Sequence, residues 1–452
     1  MKKDKLYILE KMPVSRAILH LALPSVLSMM VNILYNLTDT FFIGKLNDPY
    51  QVAAVSIALP LFLLQMAIAG IFGFGGGSYL SRLLGKKDFI QAKQTTATAL
   101  VSTFIASIGM MILGLIFIPQ YLISVGASEN TIIPTTRYLT FILIGSPFIM
   151  LKFAIVQLIR AEGAAKAAMT ALFIGTGVNI LLDPLFIFVF DMGVTGAAVA
   201  TVIGNACGLA FCLYYYFSGR SVVKPAIRAL RLKWETYREI LWIGVPASLS
   251  QIMMTIGNVI SYRLASVYGD HNVAALGVAA RVLSIPIFIF IGMSVGVQPL
   301  IGFNYGAGAY RRMKKAIRSA ITINLALAGF FTFIFALFPR QLITIFIKDA
   351  IIVDIGTMIL EAYVFAIPFA AIGMILMTSL QAMGKALPAL IVAISLQGIV
   401  YIPLIFVLNR MFLFEGLVFT LPIADAITTS VSFTFVWMIA RKLQETTKIE
   451  QR

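Results

Sequence analysis

Read along its length, the chain is a succession of long apolar runs cut by short polar turns. Twelve runs are long enough to cross a bilayer, which takes roughly 20 apolar residues at about 1.5 Å of rise each. They fall near 15–43, 52–80, 93–118, 133–159, 166–190, 193–219, 238–267, 272–303, 314–338, 353–381, 386–409 and 414–440. The pattern predicts an all-α integral membrane protein. The longest polar segment runs from Arg220 to Glu239 and divides the chain into near-equal parts. These are an N-lobe, 1–219, with spans 1–6, a linker, 220–237, and a C-lobe, 238–452, with spans 7–12 and a tail.

The two parts resemble each other. Ala22-Leu23-Pro24-Ser25-Val26-Leu27-Ser28 corresponds to Gly244-Val245-Pro246-Ala247-Ser248-Leu249-Ser250, and Arg160-Ala161-Glu162-Gly163 to Gln381-Ala382-Met383-Gly384. The glycine-rich stretch Gly73 to Gly85 and Gly292 to Gly308 are each followed by a basic loop. Pro184 matches Pro403, and Gly196 to Ala206 matches Gly416 to Ala426, all in one order about 220 residues apart. Six spans is an even number, so both copies share one orientation. Two pseudo-symmetric six-helix lobes, related by an axis along the membrane normal and flanking a cavity, are therefore expected, as in transporters built from parallel repeats.

Composition narrows the class further. Sixty per cent of the residues are apolar and 12% charged, which leaves a polytopic membrane protein. The formal charge of +16 could suggest nucleic acid, but lysine and arginine concentrate in alternate loops. Lys2 to Arg16, Arg82 to Lys93, Arg160, Lys166, Arg220 to Arg238, Arg311 to Arg318, Lys385 and the tail from Arg441 fall on one side, against Lys45, Arg340, Lys348 and Arg410 on the other. The positive-inside rule then expects both termini in the cytoplasm, with the bilayer rather than nucleic acid as the surrounding partner. The first run is too long for a signal peptide and lacks a small-residue cleavage site, so it is expected to stay. Cys207 and Cys212 read as small core residues, and the two histidines have no zinc spacing.

Candidate chemistry lies where polar residues interrupt the spans. Asn179 and Asp183 are one helical turn apart inside a span, and Pro184 removes the amide that would pair with the carbonyl of Ile180. A carboxylate there costs a few kcal/mol and needs a partner or a purpose. Asp183 lies about 25 Å into its span, Asp39 about 9 Å from the outer end of span 1, and Thr201 about 12 Å below Gly193. Tyr138 starts span 4 at a comparable level. Carboxylates, an amide oxygen, a hydroxyl and a freed carbonyl suit a small hard cation, and a proton could use the same carboxylates. Asp39, Asn179, Asp183 and Thr201 are thus candidate Na⁺ ligands, with Tyr138 beside them. Packing hydrogen bonds between helices are the alternative for Asn179, Asp183, Thr201 and Tyr138, and an outer-end carboxylate reaching for water is the alternative for Asp39.

At the Asp39, Asp183 and Thr201 positions the second copy has Ser261, Ile402 and Leu421. It carries Arg263, Arg281, Glu361 and Asp425 instead; a structural ion pair between Arg281 and Asp425 is expected, with one of them facing the cavity as the alternative. Lys152 in span 4 is expected to snorkel. Pro24 and Pro246 sit where each can kink a helix. No nucleophile–base pair or metal cluster of an enzyme is present in the sequence pattern, so neither catalysis nor a cofactor is expected.

With these residues in place, the chain resembles the multidrug and toxic compound extrusion (MATE) transporters, in their MepA-like and DinF-like bacterial branch, over essentially its whole length. The resemblance rests on Leu23-Pro24, Asn36-Leu37-Thr38-Asp39-Thr40-Phe41-Phe42-Ile43-Gly44, Arg160 to Gly163, Asn179 to Pro184 and Gly193-Val194-Thr195-Gly196-Ala197-Ala198. It implies twelve helices in two lobes and cation-driven antiport that exports cationic, amphipathic compounds from the cell. It also implies that Asp39, Tyr138, Asn179, Asp183 and Thr201 bind Na⁺ or H⁺, and that the first helix bends at Pro24. The NorM-like branch places acids in spans 7 and 10. Here span 7 has none and span 10 offers Glu361, which makes a C-lobe cation site doubtful. A monomeric, multi-pass protein of the cell membrane is expected, with a flippase for a lipid-linked or amphipathic metabolite as the alternative.

Overall fold

The computed structural model describes residues 2–224 and 233–450, so the middle of the expected linker, 225–232, lies outside the described residues. Every regular element among them is helical. Their order is α1 (Lys2–Glu10), α2 (Val14–Gly44), α3 (Pro49–Gly85), α4 (Phe89–Ser124), α5 (Glu129–Ile144), α6 (Ser146–Ala161), α7 (Ala165–Pro184), α8 (Val194–Phe217) and α9 (Trp234–Ser266). There follow α10 (Asp270–Gly306), α11 (Tyr310–Leu337), the short α12 (Pro339–Thr344), α13 (Ala350–Val364), α14 (Ala366–Ala382), α15 (Ala386–Ile394) and α16 (Tyr401–Glu450).

Nine of these stretches are individually long and apolar enough to span a membrane, and two bent pairs are long enough together. The pairs are α5 with α6, bent by 52°, and α13 with α14, bent by 48°. Span 4 and span 10 are thus broken helices rather than the single runs that hydropathy suggests. Span 11 is assembled from α15, a π-helical turn at Ser395–Ile399 and the first part of α16; span 12 is the rest of α16. A backbone kink at Leu413 separates them. The twelve-span pattern is accounted for in this way.

By compactness the chain forms two units, Met1–Lys11 with Leu27–Ser248, and Met12–Val26 with Leu249–Arg452. The boundary crosses α2 just after Pro24 and α9 just after Pro246. The packing units therefore exchange the first parts of spans 1 and 7 relative to the sequence repeat. The core of the second unit is built on Phe290, Ile359, Leu360, Ile367, Ala371 and Ile405.

In the first unit, α7 and α8 cross at glycine. A Cβ on Gly204 would sit 2.5 Å from the carbonyl oxygen of Gly175 and 3.0 Å from Cβ of Asn179. Only hydrogen fits there, and the close approach brings Asn179 of α7 against Thr201 of α8. The start of α3 is tied to the same pair. Asp48 caps α3 by accepting from the amide of Tyr50 at 2.9 Å, and Gln51 donates to Asp48 at 3.0 Å while accepting from the amide of Val194 at 2.8 Å.

The repeat is also visible in the backbone. Gly193, before α8, has φ 55°, ψ −138°, and Leu413, 220 residues later, has φ 52°, ψ −135°. That region is open to glycine and strained for leucine, by about 1–3 kcal/mol. Leu413→Gly should therefore raise the thermal unfolding midpoint, by the equivalent of about 1 kcal/mol after the entropic cost of glycine. Gly204→Ala should lower stability by roughly 1–3 kcal/mol, because the atom it strikes is backbone and cannot swing away. Melting curves of purified protein in detergent check both signs.

Candidate functional site

The site grows from the α7–α8 crossing. Asn179 Nδ2 donates to Asp183 Oδ1 at 3.2 Å, across one turn of α7, and lies 3.4 Å from Thr201 Oγ1 on α8. Thr201 Oγ1 is in turn 3.4 Å from the hydroxyl of Tyr35 on α2. Asn179, Asp183 and Thr201 are 3%, 0% and 4% exposed. After these bonds, Asn179 Oδ1 and Asp183 Oδ2 are buried and have no protein partner. Leaving a buried acceptor unmet costs about 1–3 kcal/mol, more for a charged one. Two such oxygens on one helical face are hard acceptors of the kind that suit a small cation or a proton.

Asp39 is half-buried on α2, one turn beyond Tyr35. It lies within electrostatic reach of Asp183, Tyr35 and Tyr138. Among the described residues no hydrogen bond joins its carboxylate to the Asn179–Asp183–Thr201 set. Tyr138 packs at the junction of three apolar clusters, which contain Ile43, Ile187 and Ala197, then Ala58 and Leu143, then Ile142, Ile149 and Ala198. Asn179, Asp183 and Thr201 are thus in one hydrogen-bonded chain, with Asp39 and Tyr138 at its side.

Two participants were not foreseen. Tyr35 follows from its i, i+4 spacing to Asp39, a signal available in the sequence but unused. Asn205 sits one turn beyond Thr201 and donates to the Thr201 carbonyl at 2.7 Å. Beyond Pro184 the helix widens into a π-helical turn, Leu185–Val189, where the amide of Phe190 reaches back five residues to the carbonyl of Leu185 at 2.9 Å. The amide of Leu185 bonds the carbonyl of Leu182. In the second copy the wide turn, Ser395–Ile399, comes before Pro403 instead of after it. The two prolines, alike in sequence, stand in different local structure.

Two expectations are corrected. Lys152 does not snorkel. It lies ten residues before Glu162, about 15 Å along the helix, too deep for its side chain to reach the end. Its amine donates to Asn205 Oδ1 at 3.2 Å. The Arg281–Asp425 ion pair is not formed among the described residues. Arg281 is exposed and acts on Tyr262, while Asp425, 7% exposed, lies within reach of Tyr363 and Tyr401. Tyr401 and Ser261, which stands at the Asp39 position of this copy, share a hydrogen bond of 2.8 Å. Glu361 is exposed. No group of three or more His, Cys, Asp or Glu side chains is gathered anywhere among the described residues.

A polytopic helical bundle with a duplicated six-span pattern is the architecture of a membrane transporter rather than an enzyme. The MatE family model matches twice, at residues 24–185 and 246–407, and the chain belongs to that family. It is 32% identical over 444 residues to the multidrug export protein MepA of Staphylococcus aureus (strain MRSA252), with 98% of each chain covered. It is also 32% identical over 444 residues to MepA of Staphylococcus saprophyticus, again with 98% of each covered. Among solved structures it superposes on a multidrug resistance MATE family transporter of the MOP superfamily in an outward-facing conformation. That match has a TM-score of 0.92 and 26% identity and covers 97% of this chain and 98% of the other.

A second polar cluster closes one end of the first unit. Glu162 caps α6 and is fully buried. It accepts from Ser221 Oγ at 2.7 Å, from the amide of Val222 at 2.9 Å and from the Tyr215 hydroxyl at 3.3 Å. The amine of Lys5, on α1, bonds the Tyr215 hydroxyl and the Arg220 carbonyl. One carboxylate thus ties α1, the α6–α7 turn and the segment after α8 together. Burial outweighs the donated hydrogen bonds and raises its pKa to about 7. The folded state then holds a proton there between about pH 4.5 and 7 that the unfolded chain releases, so stability falls as pH rises through that window, by up to about 3 kcal/mol. Glu162→Gln should remove this slope. The gap in melting temperature between the native chain and the variant, measured from pH 5 to 8, should move against the native chain as pH rises.

Proposed function

We propose that the chain is a secondary active exporter of cationic or amphipathic organic compounds, driven by inward movement of Na⁺ or H⁺ through the Asp39–Asp183 site. The observation that carries this reading is the pair of buried, unpartnered oxygens, Asn179 Oδ1 and Asp183 Oδ2, beside a second carboxylate. The coupling cation is the transported partner in this reading. It would lie between Asp183, Asn179 and Thr201, with Asp39 and Tyr138 completing the neutralised cluster. The names of the MepA relatives support multidrug compounds as the cargo, in preference to the alternative of a lipid-linked metabolite.

The residues divide the work as follows. The glycine crossing holds Asn179 and Thr201 at fixed separation, so the acceptors meet a cation already aligned. Asp39 supplies the charge on α2, the helix that contains Pro24. A change of charge at Asp39 alters how firmly the outer part of α2 is held to α7 and α8, and Pro24 is the point at which that helix has lost a backbone hydrogen bond and can bend. The sorting of basic loops supports termini on the cytoplasmic side of a cell membrane, and the protein works as a monomer in this reading.

In proteoliposomes, export of a cationic dye should follow a Na⁺ or pH gradient imposed alone. Asp39→Asn and Asp183→Asn should each lower that export at least about tenfold at equal protein, a loss of about 1.4 kcal/mol or more in driving interaction. Export at the native rate in both variants would overturn the reading.

A further inference from the structure

The N-lobe holds a half-buried lysine, deep in its span, that the proposed site does not use. Lys152 stands about halfway through a ~30 Å core, judged from its distance to the α6–α7 turn. Its side chain crosses the notch where α7 meets α8. A Cβ on Gly175 would lie 3.6 Å from its Nζ, and one on Gly208 would lie 3.3 Å from its Cε. None of the ion pairs among the described residues includes it. The titratable group that acts on it electrostatically is Cys212 of α8. A charged amine at that depth needs compensation.

Its connections run toward the carboxylates. Lys152 Nζ donates to Asn205 Oδ1 at 3.2 Å, and Asn205 Nδ2 donates to the Thr201 carbonyl at 2.7 Å. Thr201 Oγ1 meets Asn179, and Asn179 meets Asp183. A continuous polar path thus joins a fixed ammonium to the buried acid, inside one packing unit.

The duplicated copy provides a control. The left-handed pair Gly163 and Gly384, at φ 79° and 72°, registers α6 with α14, so Lys152 corresponds to Gly373. The pair Gly193 and Leu413 registers α8 with α16, so Asn205 corresponds to Asp425. A side chain on Gly373 would strike the Thr429 hydroxyl, 2.7 Å from its Cβ, and leaves no room for a lysine. The copy with acids at both site positions holds the lysine. The copy with Ser261 and Ile402 there lacks it.

We propose that Lys152 is a resident cation of the N-lobe that sets how many transported cations the site takes. With Asp39 and Asp183 both ionised, Lys152 leaves one net negative charge among the three groups, which one monovalent cation neutralises. Without the lysine, two would be needed. Lys152 acts as a positioning and charge-setting residue; it does not touch the cation. The inference rests on the cation-coupled reading above.

The test compares native chain, Lys152→Met, Lys152→Gln and Lys152→Arg, all full length. Cation-dependent dye export in proteoliposomes is titrated with Na⁺ at fixed pH and with H⁺ at fixed Na⁺, and thermal stabilisation by the same ions is titrated in detergent. The logarithmic slope on the coupling ion should be about one for the native chain and for Lys152→Arg, and about two for Lys152→Met and Lys152→Gln. Lys152→Gln keeps an N–H donor for Asn205, so a lysine serving only as a packing bond would leave its slope at one. It also stands in if Lys152→Met fails to fold. A slope of one in both neutral variants, or of two in Lys152→Arg, overturns the inference and leaves cation coupling intact. A native chain indifferent to both ions overturns the coupling reading itself, and this inference with it.

Discussion

The first unit is organised around a carboxylate that must exist where charges are expensive. Asp183 is fully buried in a helix that crosses the membrane, and its Oδ2 has no protein partner. What makes this tolerable is the α7–α8 crossing. Because Gly204 and Gly175 bring the two backbones together, Asn179 can donate to Asp183 while facing Thr201 across the interface. Any side chain at Gly204 would separate the helices and strand the acid. The glycines and the acid therefore form a single constraint, written in two helices.

Much of this was legible in the sequence, because membrane spans carry a strong signal: every backbone group must be satisfied within the segment, so apolar length nearly fixes the element. Asp39, Asn179, Asp183 and Thr201 could be grouped because rise per residue converts position into depth. What failed were properties that depth does not encode. The bends between Ile144 and Ser146 and between Val364 and Ala366 leave hydropathy unchanged, so spans 4 and 10 read as single runs. Lys152 read as a snorkelling residue because a one-dimensional pattern does not show the glycine notch into which its side chain turns. Asp425 and Arg281 read as a pair because opposite charges in one lobe invite pairing, yet Arg281 is exposed and Asp425 is buried.

The Glu162 cluster shows a different use of a buried acid. Asp183 keeps an oxygen unmet, whereas Glu162 is surrounded by donors from Ser221, Val222 and Tyr215. The first arrangement suits a group that takes and releases a cation. The second suits a tie, which holds α1 and the segment after α8 against the α6–α7 turn. The same residue class serves binding in one place and cohesion in the other, and satisfaction of its oxygens separates the two.

Duplication gives each copy the same skeleton, and the differences between copies then isolate chemistry from architecture. The glycine at 193 and the leucine at 413 hold nearly identical backbone angles, so the turn before spans 6 and 12 is kept even where its residue is strained. Pro184 and Pro403 are both retained, but the wide turn follows one and precedes the other, so proline alone does not dictate it. What changes is charge. Asp39 and Asp183 give way to Ser261 and Ile402, Lys152 to Gly373, and Asn205 to Asp425. A skeleton that tolerates either set is not what requires the acids. Asp39 and Asp183, with the lysine joined to Asp183 through Asn205, Thr201 and Asn179, are what distinguish the first copy from the second.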